Sequence, residues 1–303
     1  MMTLSGAVDW HSWCGNMDGN TTVTGIFGWP VEHSLSPPMH NTAFATLGLN
    51  WVYVPFAVRP EELDAAIAGV RALGIRGVNV TIPHKGAVIE FLDELDETAT
   101  ALQAANTIDV SGGKLVGYNT DGPGFVASMQ EVGWSASGRA VTIIGAGGAS
   151  RSIAAAMLRE NIARLSIINR TAARAEALAE LVSVGIGDVE ITWGGLSDSQ
   201  AEQYVSDAEI VIDCTSVGMY PHEDVAPVVP EEWLHQGQLV CDLTYNPLET
   251  TLLRAAKERG AEGLNGTGML VHQGAIAFEQ WTGEPAPVDA MRRALVTSLQ
   301  RRT

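Results

Sequence analysis

The first part of the chain alternates short strand-like runs with helical segments. Apolar and β-branched residues mark the strands, at residues 22–28, 51–58 and 77–82. One intervening helix is predicted to begin with Ser36 as its N-cap and Pro37 in its first turn, and a second to cover residues 60–73. Strand, helix and strand in succession predict a parallel sheet.

The second part of the chain repeats this alternation. A helix over residues 122–132 precedes a strand at residues 140–144, a glycine-rich turn and a helix that reaches Arg159. Further strand-like runs follow, at residues 165–168, 190–193, 209–214 and 239–243. The sequence closes with two helical segments and no strand between them, at residues 268–281 and 289–302. The whole pattern predicts an α/β protein.

The turn after residues 140–144 reads Gly145-Ala146-Gly147-Gly148-Ala149-Ser150. Strand, glycine turn and helix form the dinucleotide-binding unit of Rossmann folds, in which backbone N–H groups approach a pyrophosphate. Cofactor contacts are therefore assigned to Gly145, Gly147, Gly148 and Ala149. Ser150 stands where the fingerprint has its third glycine, so a glycine helix cap or a plain tight turn is the alternative.

The end of the next predicted strand indicates which dinucleotide binds. NAD-binding chains usually carry an acidic residue there for the ribose hydroxyl, but this chain has Asn169-Arg170-Thr171, with Arg174 one turn later. A guanidinium bonds a phosphate bidentately, so these residues predict NADP, whose 2′-phosphate is the matching anion. The alternative is that Arg170 is an ordinary surface charge and Thr171 caps the following helix.

Four motifs make the chain resemble the shikimate dehydrogenase family. They are His33-Ser34-Leu35-Ser36-Pro37, Asn79-Val80-Thr81-Ile82-Pro83-His84-Lys85, Asn106-Thr107 and Tyr118-Asn119-Thr120-Asp121-Gly122. The first two are far longer than a chance match would supply. The resemblance extends in one order over residues 23–281.

The resemblance implies a two-domain α/β fold. An N-terminal substrate-binding domain would cover residues 22–121, completed by the C-terminal helices in 268–303, and a Rossmann-type NADP-binding domain would cover 122–267. It also implies NADP-dependent, reversible reduction of 3-dehydroshikimate to shikimate, in aromatic amino acid and chorismate biosynthesis. A paralogue acting on quinate or an aminoshikimate is the nearest alternative, and a non-catalytic NADP-binding regulator is a more distant one.

Lys85 and Asp121 are the catalytic residues that the resemblance implies, meeting at one substrate hydroxyl. Hydride transfer between a nicotinamide and a ring carbon requires a proton to move on or off the attached oxygen, and a lysine can supply it. Lys85 is assigned the acid/base role, and Asp121 is assigned orientation and charge pairing. Taken singly, Lys85 is also typical of a surface lysine at a helix start, and Asp121 of a helix N-cap.

Substrate recognition needs groups for one carboxylate and several hydroxyls. The resemblance implies that Ser34 and Ser36 bind the carboxylate, with Thr81 and Tyr245 nearby. It also implies that Asn106 and Gln273 contact the ring hydroxyls. The two serines lie beside a predicted helix N-terminus, which favours an anion. Ser36 and Asn106 are also residue types that cap or turn the backbone.

Composition narrows the range of possible binding partners and cellular compartments. The chain has 303 residues, with 18 basic and 35 acidic residues and a formal charge of −17, which disfavours binding to nucleic acid and to anionic membranes. Cys14, Cys214 and Cys241 form no disulfide framework, and a reducing cytoplasm fits. No histidine spacing matches a metal site, and no apolar run is long enough for a membrane span. Residues 1–21 are expected to form a flexible extension, and a monomer or homodimer is expected.

Overall fold

The computed structural model describes residues 17–183 and 189–301. Residues 1–16, most of the expected N-terminal extension, lie outside this part, as does the end of the last predicted helix. The described chain forms two compact units. One comprises residues to Thr120 together with those from Gly274 onward, and the other comprises Asp121–Gln273.

The first unit is built on a six-stranded sheet. Its strands are β1 (Thr22–Gly28), β2 (Trp51–Ala57), β3 (Gly77–Val80), β4 (Glu94–Leu95), β5 (Thr107–Ser111) and β6 (Lys114–Tyr118), in the order β2-β1-β3-β5-β6-β4. Three helices belong to the same stretch: α1 (Ser36–Thr46), α2 (Leu63–Ala72) and α3 (Glu97–Leu102). Strands β1, β2 and β3 are parallel, which confirms the predicted arrangement. Apolar side chains such as Phe27, Ile67 and Val78 form the core on the α2 side of this sheet.

Two features of the first unit differ from the sequence prediction. Ser36 is the first residue of α1 and not its N-cap; Leu35 takes that position and no side chain caps the helix. The reason is a turn at Ser34, whose Oγ accepts the Ser36 N–H at 3.3 Å. The hairpin of β5 and β6, in which β5 is antiparallel both to β3 and to β6, was not predicted. Its turn is Gly112-Gly113, with φ of +58° and +82°, which favours glycine.

The second unit is a wholly parallel sheet. Its strands are β7 (Ala140–Ile144), β8 (Arg164–Asn169), β9 (Glu190–Gly195), β10 (Ile210–Asp213), β11 (Leu239–Asp242) and β12 (Glu262–Asn265), in the order β12-β11-β10-β7-β8-β9. This is the strand order of a Rossmann fold, with the switch point between β7 and β10. Val141 and Ile143 face one apolar core and Ile144 the other, so the sheet is buried on both faces.

The helices of the second unit complete the predicted alternation. They are α4 (Asp121–Glu131), α5 (Gly148–Arg159), α6 (Ala172–Ser183), α7 (Ala201–Ser206) and α8 (Thr251–Glu258). Two further helices end the described chain, α9 (Thr267–Thr282) and α10 (Val288–Gln300). Trp281, near the end of α9, donates a hydrogen bond to the Ile108 carbonyl at 3.1 Å and packs directly against Gly77. The C-terminal segment is thereby attached to the sheet of the first unit.

Candidate active site

Lys85 lies on the segment that leaves the carboxyl end of β3. The backbone on both sides of it is held by hydrogen bonds: the His84 N–H donates to the Thr81 carbonyl, and the Lys85 carbonyl accepts from Ala105 N–H at 2.9 Å. The buried His84 ring is also within 2.8 Å of the Val58 carbonyl. His84 therefore fixes the backbone next to the partly exposed lysine.

Asn106 lies at the centre of a buried polar cluster in the first unit. Its Oδ1 accepts the Thr120 N–H at 2.8 Å and the Thr107 hydroxyl at 3.1 Å. Its Nδ2 lies 3.0 Å from the Thr120 Oγ1. Asn79 joins the cluster through a 3.0 Å hydrogen bond from its Nδ2 to the Thr107 Oγ1. Polar side chains held this tightly present a fixed pattern of donors and acceptors.

Ser34 and Ser36 come together at the start of α1, because the Ser34 Oγ accepts the backbone N–H of Ser36. Ser36 is buried and its side chain also hydrogen-bonds Tyr53, whereas Ser34 is half-buried. Burial raises the pKa of the Tyr53 hydroxyl well above its ordinary value, and the Ser36 hydrogen bond partly opposes this. The Tyr53 phenol is thus neutral and available as a hydrogen-bonding group.

Asp121 and Gln273 belong to helices that cross closely within the second unit. A side chain at Gly124 would lie 2.6 Å from the Gln273 backbone nitrogen, so only glycine allows this approach of α4 and α9. Asp121 is buried at the first position of α4, one turn before Gly124. The predicted N-cap alternative for Asp121 is therefore wrong by one residue, since Asp121 is already helical.

Tyr245 lies in the second unit, in the loop that follows β11. It is half-buried and follows Thr244, whose N–H donates to the Asp242 carboxylate at 2.8 Å. This loop leaves the carboxyl edge of the parallel sheet. Ligands of open α/β sheets bind at that edge.

The glycine turn has the geometry that a dinucleotide needs. Gly145 has φ of +103°, a conformation that L-side chains rarely adopt. Side chains at Gly147 and Gly148 would meet no atom within 4 Å, so the space in front of the turn is open. Ser150 stands where the fingerprint has its third glycine. It is fully buried, and its Oγ stabilises the turn by accepting the Gly147 N–H at 3.1 Å. With Ala149, these residues open α5 at the carboxyl end of β7.

The predicted 2′-phosphate residues surround the end of β8. The Asn169 Nδ2 donates to the Thr171 carbonyl at 3.0 Å, and the Arg174 N–H donates to the same carbonyl. Arg170 and Arg174 are both exposed, and neither forms a salt bridge within the described residues. Two guanidinium groups next to one strand end are therefore available to an anion.

Three buried residues near the site were not assigned from the sequence: His40, Tyr53 and Asn79. Tyr53 Oη donates to Asn79 Oδ1 at 2.7 Å, and the His40 ring stacks on Tyr53 with centroids 4.4 Å apart. The available signal was Asn79, a polar side chain inside an otherwise apolar strand. A buried amide needs partners, and these could have been sought among polar residues of neighbouring strands.

A pair of buried acids was also missed in the second unit. Asp213 and Asp242 end the adjacent strands β10 and β11 in direct register. Burial and the neighbouring Asp242 raise the pKa of Asp213 to about 7. Burial likewise raises the pKa of Asp242, whose oxygens accept hydrogen bonds from the Thr244 N–H and the Thr250 hydroxyl.

No group of three metal-ligating side chains occurs in the part of the chain that the structure describes. Over the same residues, no helix has the length and apolar character to cross a membrane. Cys214 and Cys241 are free, and burial raises the pKa of both thiols, while Cys14 lies outside the described residues.

Three family profiles match consecutive parts of the chain. They are described as the shikimate dehydrogenase substrate binding domain at residues 26–108, shikimate / quinate 5-dehydrogenase at residues 127–245, and the shikimate 5′-dehydrogenase C-terminal domain at residues 266–296. A curated shikimate dehydrogenase (NADP(+)) from Methanopyrus kandleri is 48% identical over 286 residues, which are 94% of this chain and 98% of that protein.

Solved structures show the same likeness. A crystal structure of a shikimate dehydrogenase in complex with NADP+ superposes with a TM-score of 0.86 at 43% identity, covering 93% of this chain and 97% of that one. Shikimate 5-dehydrogenase from Listeria monocytogenes, in complex with shikimate and NAD, gives 0.88 at 37% identity, covering 92% and 98%. Quinate dehydrogenase from Corynebacterium glutamicum, in complex with NAD, gives 0.85 at 31% identity, covering 91% and 99%.

Proposed function

The chain belongs to the shikimate dehydrogenase family, and from this premise we propose that it is an NADP-dependent shikimate dehydrogenase. It catalyses the reversible reduction of 3-dehydroshikimate to shikimate in aromatic amino acid and chorismate biosynthesis. The observation that carries the proposal is the 48% identity to an NADP-dependent shikimate dehydrogenase over almost the whole chain. The retention of both Lys85 and Asp121 argues against a regulator that has lost catalysis.

The two units have separate tasks in this proposal. The first unit, with the C-terminal helices, binds the substrate, and the second binds the cofactor. Ser34, Ser36, Thr81 and Tyr245 are assigned to the substrate carboxylate. Asn106 and Gln273 contact ring hydroxyls. The tight hydrogen bonding of Asn106 supports this role, since a fixed amide discriminates between hydroxyl positions.

Lys85 and Asp121 handle the proton. When shikimate is oxidised, one C–O–H group becomes a ketone: the carbon gives up hydride and the oxygen gives up a proton. Lys85 accepts that proton, and in the reverse direction its ammonium group returns it to the ketone oxygen. Asp121 is assigned the orientation of the hydroxyl and the compensating negative charge. Each direction therefore transfers one hydride, which bound NADP would accept or donate, and one proton, which Lys85 would accept or donate.

NADP fits the residues of the second unit. Gly147 and Gly148 leave open space at the start of α5 for a pyrophosphate, and Arg170 and Arg174 offer their guanidinium groups to the 2′-phosphate. Gly145, Ala149, Asn169 and Thr171 shape the two turns. The bound cofactor supplies hydride acceptance and donation, and the chain's own residues bind it and exclude water.

The wider setting follows from the chain's charge and residue types. The formal charge of −17 opposes binding to nucleic acid and to anionic membrane surfaces, and the free thiols of Cys214 and Cys241 fit a reducing cytoplasm. We place the enzyme in the cytoplasm, as a monomer or homodimer.

The test is a spectrophotometric assay of NADP reduction, with shikimate as substrate and with quinate and buffer alone as controls. Shikimate should give turnover that is abolished or strongly reduced in Lys85→Ala. Turnover with quinate alone would instead assign the chain to a quinate-specific branch. No reduction with either substrate, together with tight NADP binding, would favour a non-catalytic protein.

A further inference from the structure

Tyr53 joins the two ends of the polar cluster in the first unit. It is 2% exposed, on edge strand β2, and its hydroxyl donates to Asn79 Oδ1 at 2.7 Å. The same hydroxyl is hydrogen-bonded by the Ser36 side chain. Asn79 continues to the Thr107 Oγ1 at 3.0 Å, and Thr107 continues to Asn106. An unbroken chain of hydrogen bonds thus leads from Ser36 to Asn106.

The donors and acceptors along this chain are determined. The Asn79 Nδ2 donates both to Thr107 Oγ1 and to the Asn106 carbonyl, the latter at 3.3 Å, so Asn79 Oδ1 must be the acceptor from Tyr53. A phenol has one hydrogen, which leaves Ser36 as the donor to Tyr53. The Ser36 hydroxyl also has only one hydrogen, so it cannot donate to a carboxylate while it donates to Tyr53, and the part of the chain that stays intact with substrate bound runs from Tyr53 through Asn79 and Thr107 to Asn106.

The Tyr53 ring is held in place by Asn41 and His40. Its backbone N–H and carbonyl pair with the side-chain amide of Asn41, at 2.8 and 3.0 Å. The His40 ring stacks on it with an interplanar angle of 1°. Burial lowers the pKa of His40 to about 3, and neither of its ring nitrogens has a partner in the described part of the chain. His40 therefore acts as a neutral flat surface.

We propose that Tyr53 is a positioning residue of the substrate site, which fixes Asn79 and, through Thr107, the donors and acceptors of Asn106. The inference rests on the proposed function, because it needs a substrate whose ring hydroxyls bind at Asn106. Tyr53 does not touch the substrate itself. It contributes to specificity because substrates whose ring hydroxyls are placed differently fit the fixed Asn106 amide less well.

Tyr53→Phe tests the role, since it keeps the ring stack on His40 and removes only the hydroxyl. The KM for shikimate should rise about 10-fold, the loss of roughly one net hydrogen bond, while kcat changes by less than about threefold. The KM for NADP should stay unchanged, and the preference for shikimate over quinate should shrink. Tyr118→Phe is the matched control, because the Tyr118 hydroxyl makes no hydrogen bond within the described residues. It should leave all four quantities unchanged.

A second comparison asks whether Tyr53 acts through Asn79. In an Asn79→Ala background, Tyr53→Phe should add little further loss in kcat/KM, whereas fully additive losses would overturn the coupling. The Tm of each variant is recorded as well. A lower Tm for Tyr53→Phe with unchanged KM and unchanged substrate preference would show a purely structural residue and refute the proposal. Absence of shikimate turnover in the unmodified enzyme would refute the proposed function instead, so the two failures are distinguishable.

Discussion

The buried acid pair of the second unit yields a prediction about stability and pH. The perturbation is Asp213→Asn, which replaces a carboxyl by an amide of nearly the same shape. Asp213 is 1% exposed, and one of its oxygens is buried without a partner in the described residues. Burial first, and then the charge of Asp242, raise its pKa from 3.8 to about 7. The folded protein therefore binds this proton more tightly than the unfolded chain does.

The direction of the effect follows from that difference. The Asp213 carboxyl contributes its full stability below the unfolded pKa of 3.8, and this contribution is lost as the pH rises through about 7. At about 1.4 kcal/mol per pH unit, the loss is at most about 4 kcal/mol by pH 8. The amide does not titrate, so the variant avoids this loss.

The assay is calorimetry on unliganded protein at pH 4.5, 6 and 8, comparing each variant with the unmodified chain. For a domain of about 150 residues, 1 kcal/mol corresponds to roughly 2–4 °C in Tm. Asp213→Asn should come within a few degrees of the unmodified protein at pH 4.5 and exceed it by up to roughly 16 °C at pH 8. Asp224→Asn, a change of an exposed acid in the same unit, should show a constant difference. A pH-independent Tm difference for Asp213→Asn would refute the reasoning.

Three further predictions concern activity. Arg170→Ala should raise the KM for NADP by roughly 10- to 100-fold, because one charge-assisted bond to the 2′-phosphate is lost, while the KM for NAD changes little. An equal rise in KM for both cofactors would contradict the assignment of Arg170 to the 2′-phosphate. Lys85→Ala should lower kcat by roughly 10²–10⁴-fold with a much smaller change in KM, and near-normal kcat with a large KM increase would make Lys85 a binding residue. In steady-state comparison, kcat/KM for quinate should be about 10-fold or more below that for shikimate, because the extra hydroxyl beside its carboxylate meets Ser34 and Ser36. Ser36→Gly should narrow that gap, and equal values in the unmodified enzyme would move the chain to the quinate branch.

Much of the architecture can be predicted from the sequence, because it depends on residues that are close together in the chain. The strands β1, β3, β7 and β8 follow from apolar, β-branched runs, and the turn after β7 follows from its glycines. The α/β class with a Rossmann unit is confirmed, as are both C-terminal helices within the described residues. The assigned roles of the site residues stay predictions, which the variants above test.

The sequence was less informative where an interaction depends on a distant partner. The two-residue glycine turn of the β5–β6 hairpin was a usable local signal that was overlooked. Leu35 is the N-cap residue of α1 because the Ser34 side chain accepts the Ser36 N–H. The residue preferences of N-caps do not by themselves decide between adjacent positions.

The sequence by itself determined which residue types can bind an anion, carry a proton or turn around a phosphate, since these are properties of single side chains and short motifs. Tertiary structure alone decided how Tyr53 meets Asn79 and how Asp213 meets Asp242. The members of each pair are 26 and 29 residues apart, and they become neighbours only through the order and register of the strands. Their properties depend on burial and on one another, because a hydrogen bond or a raised pKa requires both partners in a site from which water is excluded.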